Sequence, residues 1–164
     1  MKLCENKIAL VTSSTRGIGL ACAKKLAEHG AKVYLAVRNL EAGKKAAGEI
    51  IAAGGQAEVF TAADFGPDKV PEYEGLAFGC PSMGSEELES DEFEPMFRAV
   101  EPSLAGKKVG LFGSYGWGDG EWMRSWESRC NDDGANLACD SVICNEAPDD
   151  DALAACRELG ASLA

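Results

Sequence analysis

Apolar and polar positions along this chain switch repeatedly between a strand-like run and a helical spacing. Lys7–Thr12 is apolar and β-capable. Ile18–His29 then repeats apolar residues at Ile18, Cys22 and Leu26, one face of a helix that stops at Gly30. Lys32–Val37 predicts a second strand, and Leu40–Ala53 a second helix ended by Gly54-Gly55. Ala57–Thr61 predicts a third strand. Asp64–Glu74 holds Pro67 and Pro71 and predicts a loop or one short helical turn.

The alternation continues with a fourth strand over Leu76–Cys80 and a helix within Ser90–Leu104, where Pro95 and Pro102 restrict its ends. Lys107–Gly113 is the fifth strand, Gly120–Asn131 a helix, Leu137–Cys144 the sixth strand and Asp149–Leu163 the last helix. Six strands alternating with helices predict a single α/β domain, a three-layer doubly wound parallel sheet. In such a sheet the ligand lies beyond the carboxyl ends of the strands, where strand order reverses. Three segments should meet there: the turn after strand one, Pro81–Glu87 and Ser114–Gly120.

Charge changes this picture more than composition does. The 164 residues carry a net charge of −11. Residues 1–61 hold nine lysines and arginines against five acids, +4, whereas residues 62–164 hold seven against 22, −15. Neither part reads as a tail, so the asymmetry points to two parts of different origin. The acidic surface argues against nucleic acid as a partner. No apolar run reaches the roughly 18 residues of a membrane span, and the start lacks a signal-peptide pattern. The expectation is a cytoplasmic monomer. Seven scattered cysteines with no C-x-x-C pair predict reduced thiols and no metal site. His29 falls at a helix end and predicts a solvated role.

Lys7-Ile8-Ala9-Leu10-Val11-Thr12, running into Thr15-Arg16-Gly17-Ile18-Gly19, and then Ala31-Lys32-Val33-Tyr34-Leu35-Ala36-Val37-Arg38, resemble the short-chain dehydrogenase/reductase family over residues 6–61. The resemblance implies a glycine turn that holds a nicotinamide cofactor's diphosphate. Ser13 stands where the family usually has glycine. Arg38, with Arg16, implies a preference for the 2′-phosphate of NADP. The family's catalytic Tyr-x-x-x-Lys is absent: neither Tyr34, Tyr73 nor Tyr115 is followed four residues later by lysine. Without that general acid, dehydrogenase activity is not expected.

Phe78-Gly79-Cys80-Pro81-Ser82-Met83-Gly84-Ser85-Glu86-Glu87-Leu88-Glu89 and Gly106–Gly120, with Ser114-Tyr115-Gly116-Trp117-Gly118-Asp119, resemble clostridial-type flavodoxins over residues 64–164. A flavin ring needs apolar cover on both faces and hydrogen bonds at its edge. Trp117, among glycines, suits one face and Met83 the other. The resemblance implies that the Met83–Gly84 peptide turns to meet flavin N5, and that Glu86 accepts from flavin N3–H.

The flavodoxin phosphate loop is missing, and the dehydrogenase turn takes its place. Thr12, Ser13, Ser14 and Thr15 offer hydroxyls, amides near Gly17-Ile18-Gly19 open a helix, and Arg16 adds positive charge. That set points to the 5′-phosphate of FMN. The two resemblances together imply a natural or engineered chimera of strand order 3-2-1-4-5-6, joined near strand three. Its expected function is FMN-dependent electron transfer between redox partner proteins. The alternatives are an NADP-binding module without dehydrogenase activity, or a recombined fold that binds nothing tightly.

Overall fold

A computed structural model of the chain describes residues 4–163. Strands and helices follow the expected order: β1 (Ile8–Thr12), α1 (Gly17–Glu28), β2 (Lys32–Ala36), α2 (Leu40–Ala52), β3 (Gln56–Phe60), β4 (Gly75–Gly79), α3 (Phe93–Val100), β5 (Lys108–Tyr115), α4 (Glu121–Asp132), β6 (Asn136–Leu137), β7 (Val142–Asn145) and α5 (Asp150–Ser162). Every pairing is parallel, in the order β3-β2-β1-β4-β5, and both β6 and β7 pair with β5.

The 3-2-1-4-5-6 order therefore stands, but the sixth position is filled by two short strands rather than one continuous strand over Leu137–Cys144. From the Leu137–Val109 pair to the Val142–Phe112 pair, this edge takes five steps where β5 takes three. Two residues are in excess, so Ala138–Ser141 leaves the ladder, a wide departure of the bulge kind. Asp140 and Ser141 are poor strand formers. Ala138 and Cys139 instead pack partly against the core.

Handedness sets the layers. The two right-handed crossovers from β1 to β2 and β2 to β3 put α1 and α2 on one face. The connection from β3 then runs back past β2 and β1 to reach β4. It contains two single 3-10 turns, Ala62–Asp64 and Val70–Glu72, where one at most was expected. Phe65, Val70 and Tyr73 from this connection join α3 and α4 in the core of the opposite face. Side chains of β1 divide accordingly: Ala9 and Val11 meet α1, α2 and α5, while Leu10 meets the other layer.

The helix expected within Ser90–Leu104 is shorter than its apolar pattern. Pro95 occupies its third position, where an amide would lack an intrahelical acceptor in any case. Pro102 cannot continue the α-helical ladder, and a 3-10 turn, Glu101–Ser103, replaces the last turn. The apolar face of α3 meets α4 through aromatic rings. Trp126 lies edge-on to Phe93 and Phe97, with centroids 5.4 and 5.3 Å away.

Candidate functional site

Strand order reverses between β1 and β4, and the crevice above their carboxyl ends is a cleft of about 650 Å³. Its walls come from the β1 turn, the end of β2 at Ala36–Asn39, the ends of β4 and β5, and Glu146–Pro148 after β7. Thr12, Ser13, Thr15, Arg16, Gly17, Ile18, Pro81, Met83 and Ser114 all line it. The remaining candidates sit beneath this lining or in the two loops that continue from it.

Hydroxyls of the β1 turn are largely committed to the fold. Thr12 Oγ1 accepts from the Gly79 amide at 2.5 Å, and Ser13 Oγ donates to the Gly79 carbonyl at 2.5 Å. Ser14 is fully buried, with Oγ donating to the Val11 carbonyl at 3.0 Å. These bonds fasten the turn to β4 and to itself. Gly19 permits the turn to close, because a Cβ there would lie 2.5 Å from the Ser13 carbonyl oxygen.

The opening of α1 differs from that of the other helices. Asn39 and Asp149 accept from amides of α2 and α5. Glu89 does so at α3, and Glu86 at α4. At α1 the cap residue is Arg16, its side chain makes no capping bond, and the first turn holds no acid. Among the described residues no side chain accepts from the amides of Gly17, Ile18 or Gly19. These amides and the positive end of the helix lie in the cleft wall and favour an anion.

After β4, the Ser82 amide donates to the Ser114 carbonyl at 2.9 Å, extending the pairing of the two strands. Met83 and Glu87 exchange backbone bonds of 2.9 and 2.8 Å, so residues 83–87 form a tight hairpin. Gly84 at φ +50° and Glu86 at φ +57° make the turn, with Ser85 exposed between them. Glu86 Oε1 accepts from the amides of Gly120 and Glu121, each at 2.9 Å. The carboxylate thus joins this hairpin to the Tyr115–Asp119 loop by capping α4. A Cβ on Gly118 would overlap it.

Tyr115 packs on Trp122 and its carbonyl accepts from the Asn145 side chain. Asp119 is paired with Arg124 at 2.7 Å, and Gly116 is exposed. Trp117 and Met83 are the functional surface of the two loops: they are 63 % and 45 % exposed, large side chains that the fold itself does not cover. Carboxyl oxygens of Glu86, Asp119 and Glu121 lie within 4.8 Å of one another. The first two are engaged by α4 amides and Arg124, which explains their closeness without an ion.

Several lining residues escaped the reading of the sequence. Cys144 and Glu146–Pro148 follow the sixth strand position, so the rule of strand carboxyl ends, applied to that strand too, finds them. Burial pushes the Cys80 thiol up to about 12, which makes it a packing group, not a nucleophile. Glu89 has no such local signal. Its carboxylate accepts from the amides of Phe93, Asp91 and Glu92 at 2.8, 3.0 and 3.1 Å.

These bonds, Phe93 foremost, hold the Glu89 carboxyl below its ordinary range against the opposing effect of burial. A depressed folded value stabilises the fold fully above the unfolded value of about 4.3, and this contribution is lost as pH falls through the folded value. Glu89→Gln should therefore destabilise the protein at pH 7, with the difference from the parent narrowing below about pH 4. Urea unfolding of both proteins across this range checks it; a difference that stays constant with pH would exclude the carboxylate as its source.

Comparisons with known proteins divide along the same line as the charge. The pattern described as Flavodoxin matches residues 39–160, and that described as short chain dehydrogenase matches residues 7–70. A 7alpha-hydroxysteroid dehydrogenase of Paraclostridium sordellii is 69 % identical over 42 residues, 26 % of this chain but 16 % of that protein. The flavodoxin of Megasphaera elsdenii is 47 % identical over 113 residues, 69 % of this chain and 80 % of that one. The solution structure of its two-electron reduced form superposes with a TM-score of 0.64 at 34 % identity, covering 95 % of this chain and 96 % of that chain. The dehydrogenase likeness stops with the first part of the sheet. The flavodoxin likeness takes in the loops that carry Met83 and Trp117, and by this extent the chain belongs to the flavodoxin family.

Proposed function

We propose that this chain binds FMN in the cleft and carries electrons between redox proteins, with a dehydrogenase-type turn serving as its phosphate site. The observation that carries the reading is the uncapped start of α1, which lies in the wall of the same cleft as the flavodoxin-type loops. Amides of Gly17–Gly19, the Thr15 hydroxyl and the Arg16 guanidinium are the groups for the phosphate. Ser13 and Thr12 shape the turn, and Ser14 supports it from below. Met83 and Trp117 cover the ring, and Gly84 gives the adjacent peptide freedom to rotate. FMN supplies reversible electron storage. The surrounding acids, Glu86, Glu87, Asp119 and Glu121, disfavour added negative charge and would lower its potential. They also suit redox partners with basic docking faces.

On this reading residues 1–61 and 62–164 are dehydrogenase-like and flavodoxin-like parts of one chimeric domain, a monomer of the cytoplasm. All seven cysteines are free thiols, in keeping with a reducing compartment. No described helix is long and apolar enough to cross a membrane.

Titration with FMN and riboflavin, followed by tryptophan fluorescence, tests the phosphate site. FMN should bind about 100-fold more tightly, the worth of two charge-assisted hydrogen bonds of about 1.5 kcal/mol each. Equal affinities would show that the turn holds no phosphate. Trp117→Ala should weaken FMN by about 1–3 kcal/mol, if the ring stacks as bases do on aromatic side chains. Unchanged affinity and visible spectrum would place the flavin away from this loop.

Arg16 and Arg38 both line the cleft, and this favours a second reading: an NADP-binding module without dehydrogenase activity. A colourless purified protein that quenches or shifts NADPH fluorescence would support it over FMN. A protein that binds neither is the recombined fold without a tight ligand.

A further inference from the structure

We infer that the β2 end of the cleft, at Arg38 with Arg16, is a second anion subsite that takes the adenosine diphosphate end of FAD. This rests on the flavin reading above and extends it from a mononucleotide to a dinucleotide.

The cleft is continuous from Ser114 on β5 to Asn39 beyond β2. That path crosses β4 and β1, three strand spacings of about 4.8 Å, or roughly 14 Å. A flavin ring between the β4 and β5 loops, with its phosphate at the β1 turn, uses the first two spacings. The third leads to a wall that FMN does not need.

That wall has chemistry of its own. Ala36 and Val37 are buried and Ala62 half-buried, a small apolar floor. Arg38 is exposed above it. Eight other lysines and arginines are held in ion pairs. Arg38 and Arg16 have no hydrogen bond or ion pair among the described residues, in a chain with 27 acids. Arg38 nevertheless stands over the cleft, because its charge favours the ionised forms of Glu89 and Cys80 on the opposite wall. Glu89 does not neutralise it by contact, since both of its oxygens are taken by α3 amides. Asn39 Oδ1 accepts from the Ala42 amide, which leaves its NH₂ as a donor. A free guanidinium offers a planar face to a purine and a fork to a phosphate.

Parallel titrations of the parent and R38Q with riboflavin, FMN, FAD and NADP test the assignment. FAD should bind the parent about tenfold more tightly than FMN, and in R38Q that ratio should fall toward one. If FMN binds well but FAD binds no tighter, or R38Q leaves the ratio unaltered, the subsite is refuted while the FMN reading survives. Tighter binding of NADP than of FAD would assign the wall to a nicotinamide dinucleotide and overturn the inference. FMN no tighter than riboflavin would instead remove the phosphate site on which the inference rests.

Discussion

Trp126→Ala is expected to cost about 4 kcal/mol of stability, the largest single effect among the side chains considered. Trp126 is 1 % exposed and sits between Phe93 and Phe97, so its removal opens a cavity in the layer that joins α3 and α4. The ring nitrogen Nε1 is buried without an acceptor among the described residues. A phenylalanine keeps one ring of the cluster and deletes that unpaired donor, whose burial itself costs about 1–3 kcal/mol. Trp126→Phe should therefore lose far less than its volume implies, about 1 kcal/mol. Denaturant unfolding of the two variants reads both numbers. Equal losses would mean that the indole nitrogen has a partner, such as a trapped water.

Gly113→Ala should cost about 3 kcal/mol, or about 6–12 °C in Tm for a chain of this size. Gly113 is buried within β5, and its added Cβ would overlap the Cys80 carbonyl oxygen and lie 3.2 Å from the Trp122 ring. That carbonyl also accepts from Trp122 Nε1 at 3.3 Å. Relief of the overlap has to push β4 away from β5, and the displaced segment is Cys80–Met83, the start of the ring-covering loop. Flavin affinity should fall together with Tm. A drop in Tm with unaltered affinity would show that the hairpin at 83–87 moves independently of the strand beneath it.

Strand positions were legible because a central parallel strand is apolar on both faces; β1, β2 and β4 begin or end within one residue of their apolar runs. Position of the site was legible for a related reason, since the alternation of elements fixes where strand order reverses. The division of the last strand was not. It depends on two extra residues relative to β5, and register with a partner 28 residues away leaves no local trace. Polar groups were the hardest to read. Glu86 and Glu89 both stand in an acidic run, yet one caps a helix 34 residues ahead and the other the helix that follows directly. Their exposed neighbour Glu87 has the same side chain and no such task. Hydroxyls behave likewise: in Thr12-Ser13-Ser14 each oxygen was free to face a ligand, and tertiary partners in β4 and β1 decided otherwise.

The packing of α1 against α5 has a consequence for how the chain is made. Cys22 Sγ donates to the Cys156 carbonyl at 2.9 Å across a separation of 134 residues, and Gly160 brings the two helices close enough that a Cβ would lie 3.0 Å from the Cys22 carbonyl oxygen. During vectorial synthesis, β1, α1 and β2 emerge early, but the partner that covers the outer side of α1 emerges last. The same delay applies to β1, which has only β2 for a neighbour until β4 arrives. Nascent dehydrogenase-like sequence must therefore wait with an apolar helix face and an open strand edge in water. Such long-range closure slows folding and lengthens exposure to aggregation. Slow translation through residues 62–149 would prolong that interval, and a chaperone that shields α1 would act on this chain before its cofactor can.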